Sequence, residues 1–88
     1  MLKLFYKPSA LRVIKKFTTT ETQVYRNTLT QLKESPEAGG FLRGSLKGLR
    51  KWKFKVNSVP YRIVYKISDD SIEIIAVGKR KDFYDLLD

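Results

Sequence analysis

The stretch "WKFKVNSVPYRIVYKI", residues 52–67, decides the fold. Its first half alternates apolar and polar residues, as strands with one buried face do, and this places Lys53 and Lys55 side by side on the other face. Residues 61–67 alternate in the same way, and the "NSVP" between the halves predicts a turn. The stretch therefore predicts a β-hairpin whose open face carries lysines.

The register of this hairpin determines which charged side chains meet. If the turn is centred between Ser58 and Val59, Lys55 lies directly opposite Arg62, with Lys53 two residues along the same face. Directly opposed like charges destabilise a sheet by about 0.2–1 kcal/mol, so a face that only meets solvent has no reason to adopt this pairing. We therefore predict an anion site here, unless a one-residue bulge turns Arg62 to the other face.

The N-terminal part predicts one strand followed by two helices. "LKLFY" (residues 2–6) has strand character, and "ALRVIKKF" (residues 10–17) has the apolar stripe of a short amphipathic helix. The threonine-rich segment at residues 18–35 predicts a second helix that begins at a capping box of Thr20 and Gln23. This helix ends before the proline that follows, because the residue before a proline disfavours the α region.

The C-terminal part completes an α+β fold. A glycine-rich connector (residues 36–48) precedes the hairpin, and "IEIIAVG" (residues 72–78) predicts a strand apolar enough to be buried on both faces. Residues 79–88 predict a short terminal helical turn. We therefore expect one domain over residues 1–88 with the order β-α-α-β-β-β, in which both helices pack on one face of a mainly antiparallel sheet.

The charge of the chain is high and unevenly distributed. The 88 residues carry a formal net charge of +9, and no acidic residue lies between Ala38 and Ser68. Such a block is typical of a protein that binds a phosphate backbone, although solubility or an acidic protein partner would also explain it. The basic residues of the block are Arg43, Lys47, Arg50, Lys51, Lys53, Lys55, Arg62 and Lys66.

Histidine and cysteine are absent from the sequence, which restricts the reactions and the metal sites that the protein can support. With no histidine, any acid–base reaction must proceed without imidazole, and with no cysteine as well, a transition-metal site is improbable. We therefore expect no metal and no cofactor. The sequence shows neither an apolar run long enough for a bilayer nor a signal-peptide pattern, so we expect a cytoplasmic protein without membrane contact.

The segment "KGLRKWKFKVNSVPYRIVYKI", followed by "IIAVGKRKDFYDLL", resembles the RelE/ParE toxin superfamily and within it the RelE branch of ribosome-dependent messenger-RNA endonucleases. The lysine-x-lysine strand at Lys53 and Lys55, the Tyr61–Arg62 pair and the "GKR" at residues 78–80 carry the resemblance. This chain departs from the family where Trp52 replaces a tyrosine, where Pro60 replaces a glycine, and in a short spacing between Arg80 and Tyr84.

The resemblance implies a metal-independent hydrolase site of Lys53, Lys55, Arg62, Arg80 and Tyr84. In the implied reaction a ribose 2′-hydroxyl attacks the adjacent phosphorus, leaving a 2′,3′-cyclic phosphate and a 5′-hydroxyl. One of the two lysines would be the base, because nearby cations favour the neutral form of an amine. Arg62 would clamp the phosphate, and Arg80 would stabilise the leaving group. The remaining basic residues predicted to contact RNA are Arg43, Lys47, Arg50, Lys51 and Lys79.

The resemblance also implies partners. A RelB-like antitoxin would neutralise the toxin, the ribosome would present messenger RNA in its A site, and operator DNA would be met only through the antitoxin complex. Two alternatives stay open. One is a ParE-like inhibitor of DNA gyrase without nuclease activity, although that branch generally lacks the paired lysines; the other is an RNA-binding module without catalysis.

Overall fold

The computed structural model of the chain describes residues 3–42 and 48–79. Within them, two helices and five strands follow one another, with a 3₁₀ turn before the second strand. In chain order the elements are β1 (Lys3–Tyr6), α1 (Pro8–Lys15), α2 (Thr19–Glu34), the 3₁₀ turn (Pro36–Ala38), β2 (Gly40–Phe41), β3 (Leu49–Val56), β4 (Val59–Ser68) and β5 (Ser71–Lys79).

The five strands form one sheet in the order β1-β5-β4-β3-β2. β1 pairs with β5 in parallel, and every other neighbouring pair is antiparallel. The predicted α+β fold, with both helices on one face of a mainly antiparallel sheet, is confirmed. The connector predicted to be irregular holds the extra strand β2, and two residues are too few to show a period of two. In the described part of the chain, no helix is long and apolar enough to span a membrane.

The main core lies between the helices and the sheet. Both helices and the three long strands contribute to it, and its members are Ala10, Tyr25, Leu32, Phe54, Val56, Tyr61, Ile63, Tyr65, Ile72, Ile74 and Val77. Aromatic rings meet at one end of this core, where Phe54 stacks on Tyr61 with ring centroids 5.2 Å apart. Phe17 packs edge-on against the same tyrosine at 6.1 Å. This packing fixes the first residues of β4 against the helices.

The N-terminus of α2 is capped two residues earlier than predicted. The Thr18 hydroxyl accepts from the backbone N–H of Glu21 at 3.1 Å, and the Glu21 carboxylate accepts from the backbone N–H of Thr18 at 2.8 Å. The predicted capping box of Thr20 and Gln23 is therefore wrong. The prediction failed because three consecutive threonines allow two matches to the same motif. The predicted end of the helix is confirmed, with Ser35 as the C-cap residue.

The β3–β4 hairpin turns at Asn57 and Ser58, whose φ angles of 49° and 69° are those of a two-residue type I′ turn. This turn places Lys53 opposite Arg62 and Lys55 opposite Pro60. The predicted pairing of Lys55 with Arg62 is therefore wrong by two residues. Because side chains alternate with a period of two, the shift keeps all three basic side chains on the predicted face.

β5 contains a bulge that changes which face its side chains meet. The register with β4 shifts between Val64 and Tyr65. As a result Ile74 and Val77 both enter the main core, while Ile75 packs on Val64 at the other face. A smaller apolar cluster therefore lies on the face of the sheet away from the helices, as expected for a strand apolar on both sides.

Candidate nucleic-acid interface

A row of directly paired residues crosses three strands on the face away from the helices. Lys53 on β3 pairs with Arg62 on β4, and Arg62 pairs with Gly78 on β5. Directly paired residues lie on the same face of a sheet. The neighbouring row, which includes Phe54 and Tyr61, contacts the helices. The Lys53 row therefore faces outward, and Gly78 adds no side chain to cover it.

The charged members of this face differ sharply in exposure. Lys53 and Lys55 are exposed, whereas Arg62 is only 2% exposed. Burying a guanidinium is unfavourable unless it is hydrogen-bonded or paired. Arg62 therefore contributes its positive charge from below the surface, next to two lysines that reach solvent.

Two shallow hollows border Lys53. One, of about 240 Å³, lies at the hairpin and is also lined by Phe54, Lys55, Pro60 and Tyr61. The other, of about 430 Å³, lies at the edge of the sheet, where its lining includes Lys53 and the half-buried Trp52 with residues of the connector. Lysine ammonium groups beside an aromatic ring are the groups that bind single-stranded nucleic acid, through its phosphates and its bases.

Arg50, predicted to contact RNA, makes contacts within the protein. Its guanidinium donates to the backbone carbonyls of Glu37 at 3.0 Å and Gly39 at 2.9 Å. It also lies over the Phe41 ring, 3.9 Å from the ring centroid. These three contacts tie the connector to β3, and they engage the guanidinium away from the Lys53 row.

The other predicted RNA-contacting residues divide between the faces. Lys51 lies opposite Val64 on the same face as Lys53. Lys79 lies opposite Tyr61, in the row that contacts the helices, and its charge acts on Glu21. The structure thus places Lys51 on the same face as Lys53 and Lys55, which we call the lysine face, and places Lys79 on the opposite face. The remaining predicted site residues, which lie outside the described residues, are Arg43, Lys47, Arg80 and Tyr84; the predicted terminal helical turn lies there too.

Glu21 is a polar residue of this region that the sequence interpretation missed. Its carboxylate accepts a hydrogen bond from the Tyr61 hydroxyl as well as from the Thr18 backbone. Those two hydrogen bonds, the Thr18 one first, hold the pKa of Glu21 below its ordinary value of 4.5. The spacing of Thr18 and Glu21 fits a capping box, and this motif was the available signal in the sequence.

Several solved structures similar to this one are bacterial toxins. The isolated E. coli RelE toxin superposes with a TM-score of 0.72 at 31% sequence identity, over 90% of this chain and 84% of that one. RelE in the E. coli RelBE toxin–antitoxin complex gives 0.71 at 28% identity, over 90% and 96%. The YoeB/ParE toxin from Agrobacterium tumefaciens, at 20% identity and a TM-score of 0.70 over 90% and 99%, shares the fold.

A search of curated protein sequences finds no significant match. Residues 4–88, however, match the sequence model described as the ParE-like toxin of type II bacterial toxin–antitoxin systems. The match covers nearly the whole chain, and it agrees with the structural similarity to RelE and with the resemblance seen in the sequence. The chain therefore belongs to the ParE-like toxin family, within the RelE/ParE superfamily.

Proposed function

We propose that the protein is a RelE-like endoribonuclease toxin. It acts in the cytoplasm, where it cleaves messenger RNA in the A site of the ribosome. The observation that carries this proposal is the pair of exposed lysines, Lys53 and Lys55, on one face of β3 with Arg62 directly opposite Lys53. No acidic residue of the sequence from Ala38 to Ser68 offsets their charge. The similarity to RelE at about 30% identity supports the same reading.

The proposed reaction needs only groups that the chain and the RNA supply. Lys53 or Lys55, as the neutral amine, takes the proton of the 2′-hydroxyl while the 2′-oxygen bonds to phosphorus. The bond from phosphorus to the 5′-oxygen breaks, and that oxygen takes a proton from the ammonium form of the other lysine to become the 5′-hydroxyl. Positive charge near the phosphate stabilises the extra negative charge of the transition state. Arg62 supplies such charge, and direct donation from its buried guanidinium requires that the site open when RNA binds.

A cognate antitoxin is the proposed neutralising partner. E. coli RelE forms a complex with the antitoxin RelB, and a variant of RelE binds a RelB peptide. The net charge of +9 on this chain would attract an acidic antitoxin segment and speed its association. Operator DNA would be bound by the toxin–antitoxin complex and not by the toxin alone.

The test is a translation reaction built from purified components. We expect cuts in ribosome-bound message that are lost or reduced at least a hundredfold in the double variant Lys53→Ala, Lys55→Ala. Lys3→Ala is the matched control, because Lys3 is also an exposed strand lysine but lies on β1, two strands beyond β4. A message with one 2′-deoxy nucleotide at the cut site should resist cleavage there, because the attacking oxygen is missing.

Two results would contradict the proposal. Cutting at the 2′-deoxy position would rule out 2′-hydroxyl attack. Equal cutting by the double lysine variant and the Lys3→Ala control would remove the lysine face from the reaction.

Inhibition of DNA gyrase is the second candidate function, because the burial of Arg62 weakens the argument for phosphate binding. A guanidinium that is 2% exposed is poorly placed to bind a phosphate in the free protein. The family that the chain matches is also described as ParE-like, after the branch that inhibits gyrase. A supercoiling assay with purified gyrase separates the two functions: inhibition of gyrase by a protein that leaves ribosome-bound message intact would support this candidate.

A further inference from the structure

We propose that Glu21 is a positioning residue for the proposed site of Lys53, Lys55 and Arg62. Through a hydrogen bond with the Tyr61 hydroxyl, it holds the strand that carries Arg62 in place. This inference rests on the proposed nuclease function. Glu21 itself lies on the helix side of the sheet, so it acts on the site through β4 and not by touching RNA.

Glu21 connects three elements near one end of the sheet. Its carboxylate accepts from the Thr18 backbone at 2.8 Å, which caps α2, and from the Tyr61 hydroxyl on β4. Lys79 on β5, the partner of Tyr61 in the ladder, lies close enough for its charge to act on the same carboxylate. One side chain therefore joins the start of α2 to the start of β4 and the end of β5.

The tie, which is the hydrogen bond from the Tyr61 hydroxyl to Glu21, acts next to the hairpin turn. Pro60 precedes Tyr61, and its ladder partner is Lys55, one of the two exposed lysines of the proposed site. Arg62 follows Tyr61. The residue that the tie holds therefore lies between the partner of Lys55 and the partner of Lys53.

The Tyr61 ring is packed tightly, so the hydrogen bond of its hydroxyl to Glu21 restrains the position of the Tyr61 backbone. Tyr61 is buried, with Phe54 stacked on one side and Phe17 packed edge-on. The next residue is Arg62, which points to the opposite face and pairs with Lys53. A shift of the Tyr61 backbone would therefore move Arg62 relative to Lys53, and misplacement by about 1 Å can lower a rate by about a hundredfold.

The cleft around this tie is lined by residues of both helices, of β4 and of β5. It has a volume of about 380 Å³, and its lining residues include Lys16, Phe17, Glu21, Tyr61 and Lys79. The Tyr61 hydroxyl therefore lies at the edge of the core, where it can be removed without disturbing the middle of the core.

The experiment separates positioning from helix capping with four variants. Tyr61→Phe removes only the hydroxyl, and Glu21→Ala removes the acceptor together with half of the capping box. Glu21→Gln can keep both contacts, because its amide oxygen can accept from the Thr18 backbone and its amide N–H can donate to the Tyr61 oxygen. Thr18→Ala removes the other half of the capping box and leaves the tie intact.

We expect Tyr61→Phe and Glu21→Ala to lower the single-turnover cleavage rate on ribosomes about tenfold, with the half-saturating toxin concentration changed less than about twofold. Glu21→Gln should restore most of the rate. Thr18→Ala should lower stability but leave the rate within about twofold of the wild type. In hydrogen exchange, the amides of Arg62 and Gly78 should exchange faster in Tyr61→Phe than in Thr18→Ala.

Wild-type rates in both Tyr61→Phe and Glu21→Ala would overturn the inference while leaving the nuclease function standing. A rate that falls in Thr18→Ala as much as in Glu21→Ala would also overturn it, because helix capping alone would then explain the effect. A wild-type protein that cuts no message overturns the proposed function and the inference with it.

Discussion

Lys53 and Arg62 are direct partners across the β3–β4 ladder, and they lie at opposite extremes of exposure. The lysine is exposed to solvent, while the arginine beside it is 2% exposed. Two cations on neighbouring strands thus have different physical tasks. One is available to a ligand, and the other is part of the folded interior.

This difference predicts unequal costs of substitution. Arg62→Ala should lower the free energy of unfolding by about 2–4 kcal/mol, because it removes a buried, charged side chain together with its contacts. Lys53→Ala should change it by no more than about 0.5 kcal/mol, as is usual for an exposed residue. Urea denaturation of both variants measures the difference, and similar values for the two would show that Arg62 is not a structural residue. Loss of cleavage in Arg62→Ala is therefore informative only after its stability is known.

The hairpin turn predicts a stabilising substitution. Ser58 has a φ of 69°, a left-handed conformation that costs an L-residue energy and that glycine adopts freely. Ser58→Gly gives the Asn-Gly pair that type I′ turns prefer, and it should raise stability by about 0.5 kcal/mol. The melting temperature should rise by a few degrees. Ser58→Ala, the control, should not raise it; a rise of the same size in both would argue against the turn geometry.

The connector contains a pair of neighbouring glycines with different surroundings. A Cβ built on Gly39 would overlap the Tyr65 hydroxyl and come within 2.8 Å of the Lys51 carbonyl oxygen. On Gly40 its nearest neighbour would be the Lys51 side chain at 3.8 Å, an ordinary contact. Gly39→Ala should therefore destabilise the fold by about 1–3 kcal/mol, and Gly40→Ala by less than about 1 kcal/mol. Thermal unfolding of the two variants checks this order, and the reverse order would be inconsistent with the path of the connector.

Arg50 offers a test that separates charge from structure. Arg50→Lys keeps the positive charge but cannot reproduce the guanidinium that bonds two carbonyls and stacks on Phe41. We expect this variant to lose about 1–2 kcal/mol of stability while its cleavage of ribosome-bound message stays within about twofold. Unchanged stability together with weaker ribosome binding would instead support the prediction that Arg50 contacts RNA.

Glu21 makes the stability of the protein sensitive to acid. The pKa of Glu21 in the folded protein lies below its ordinary value of 4.5. The ionised carboxylate therefore stabilises the fold at pH values above its ordinary pKa. This contribution is lost as the pH falls through the lowered pKa of the folded state. The difference in unfolding free energy between the wild type and Glu21→Gln should therefore shrink between about pH 6 and pH 3. A difference that stays constant over this range would show that the carboxylate is not held in its ionised form.

The strand faces could be predicted from the sequence because a period of two needs only four or five residues to be visible. Lys53 and Lys55 were placed on the correct face for this reason, and a register error of two residues did not change the face. The register itself could not be predicted. The predicted register centred the turn between Ser58 and Val59, whereas the turn lies at Asn57 and Ser58, whose positive φ angles no residue pattern required.

The burial of Arg62 could not be predicted either. An arginine in an alternating strand is normally assigned to solvent, and what buries it depends on packing that is remote in sequence. The tie between Glu21 and Tyr61 joins residues 40 apart, so only the folded sheet brings them together. Short-range patterns thus supplied most of the secondary structure and the lysine pair, whereas the environment of the site depends on long-range packing.

The parallel pairing of β1 with β5 has a consequence for the order of assembly. β1 takes its place beside Ser71–Lys79, nearly seventy residues later in the chain. A nascent chain that has reached only Ser68 therefore has no neighbour for β1. α1 also packs largely on β5, so it too must wait. Closing so long a loop is entropically unfavourable, and its contacts form late. The two ends of the described chain therefore come together only once β5 has been synthesised, and β5 completes the described sheet.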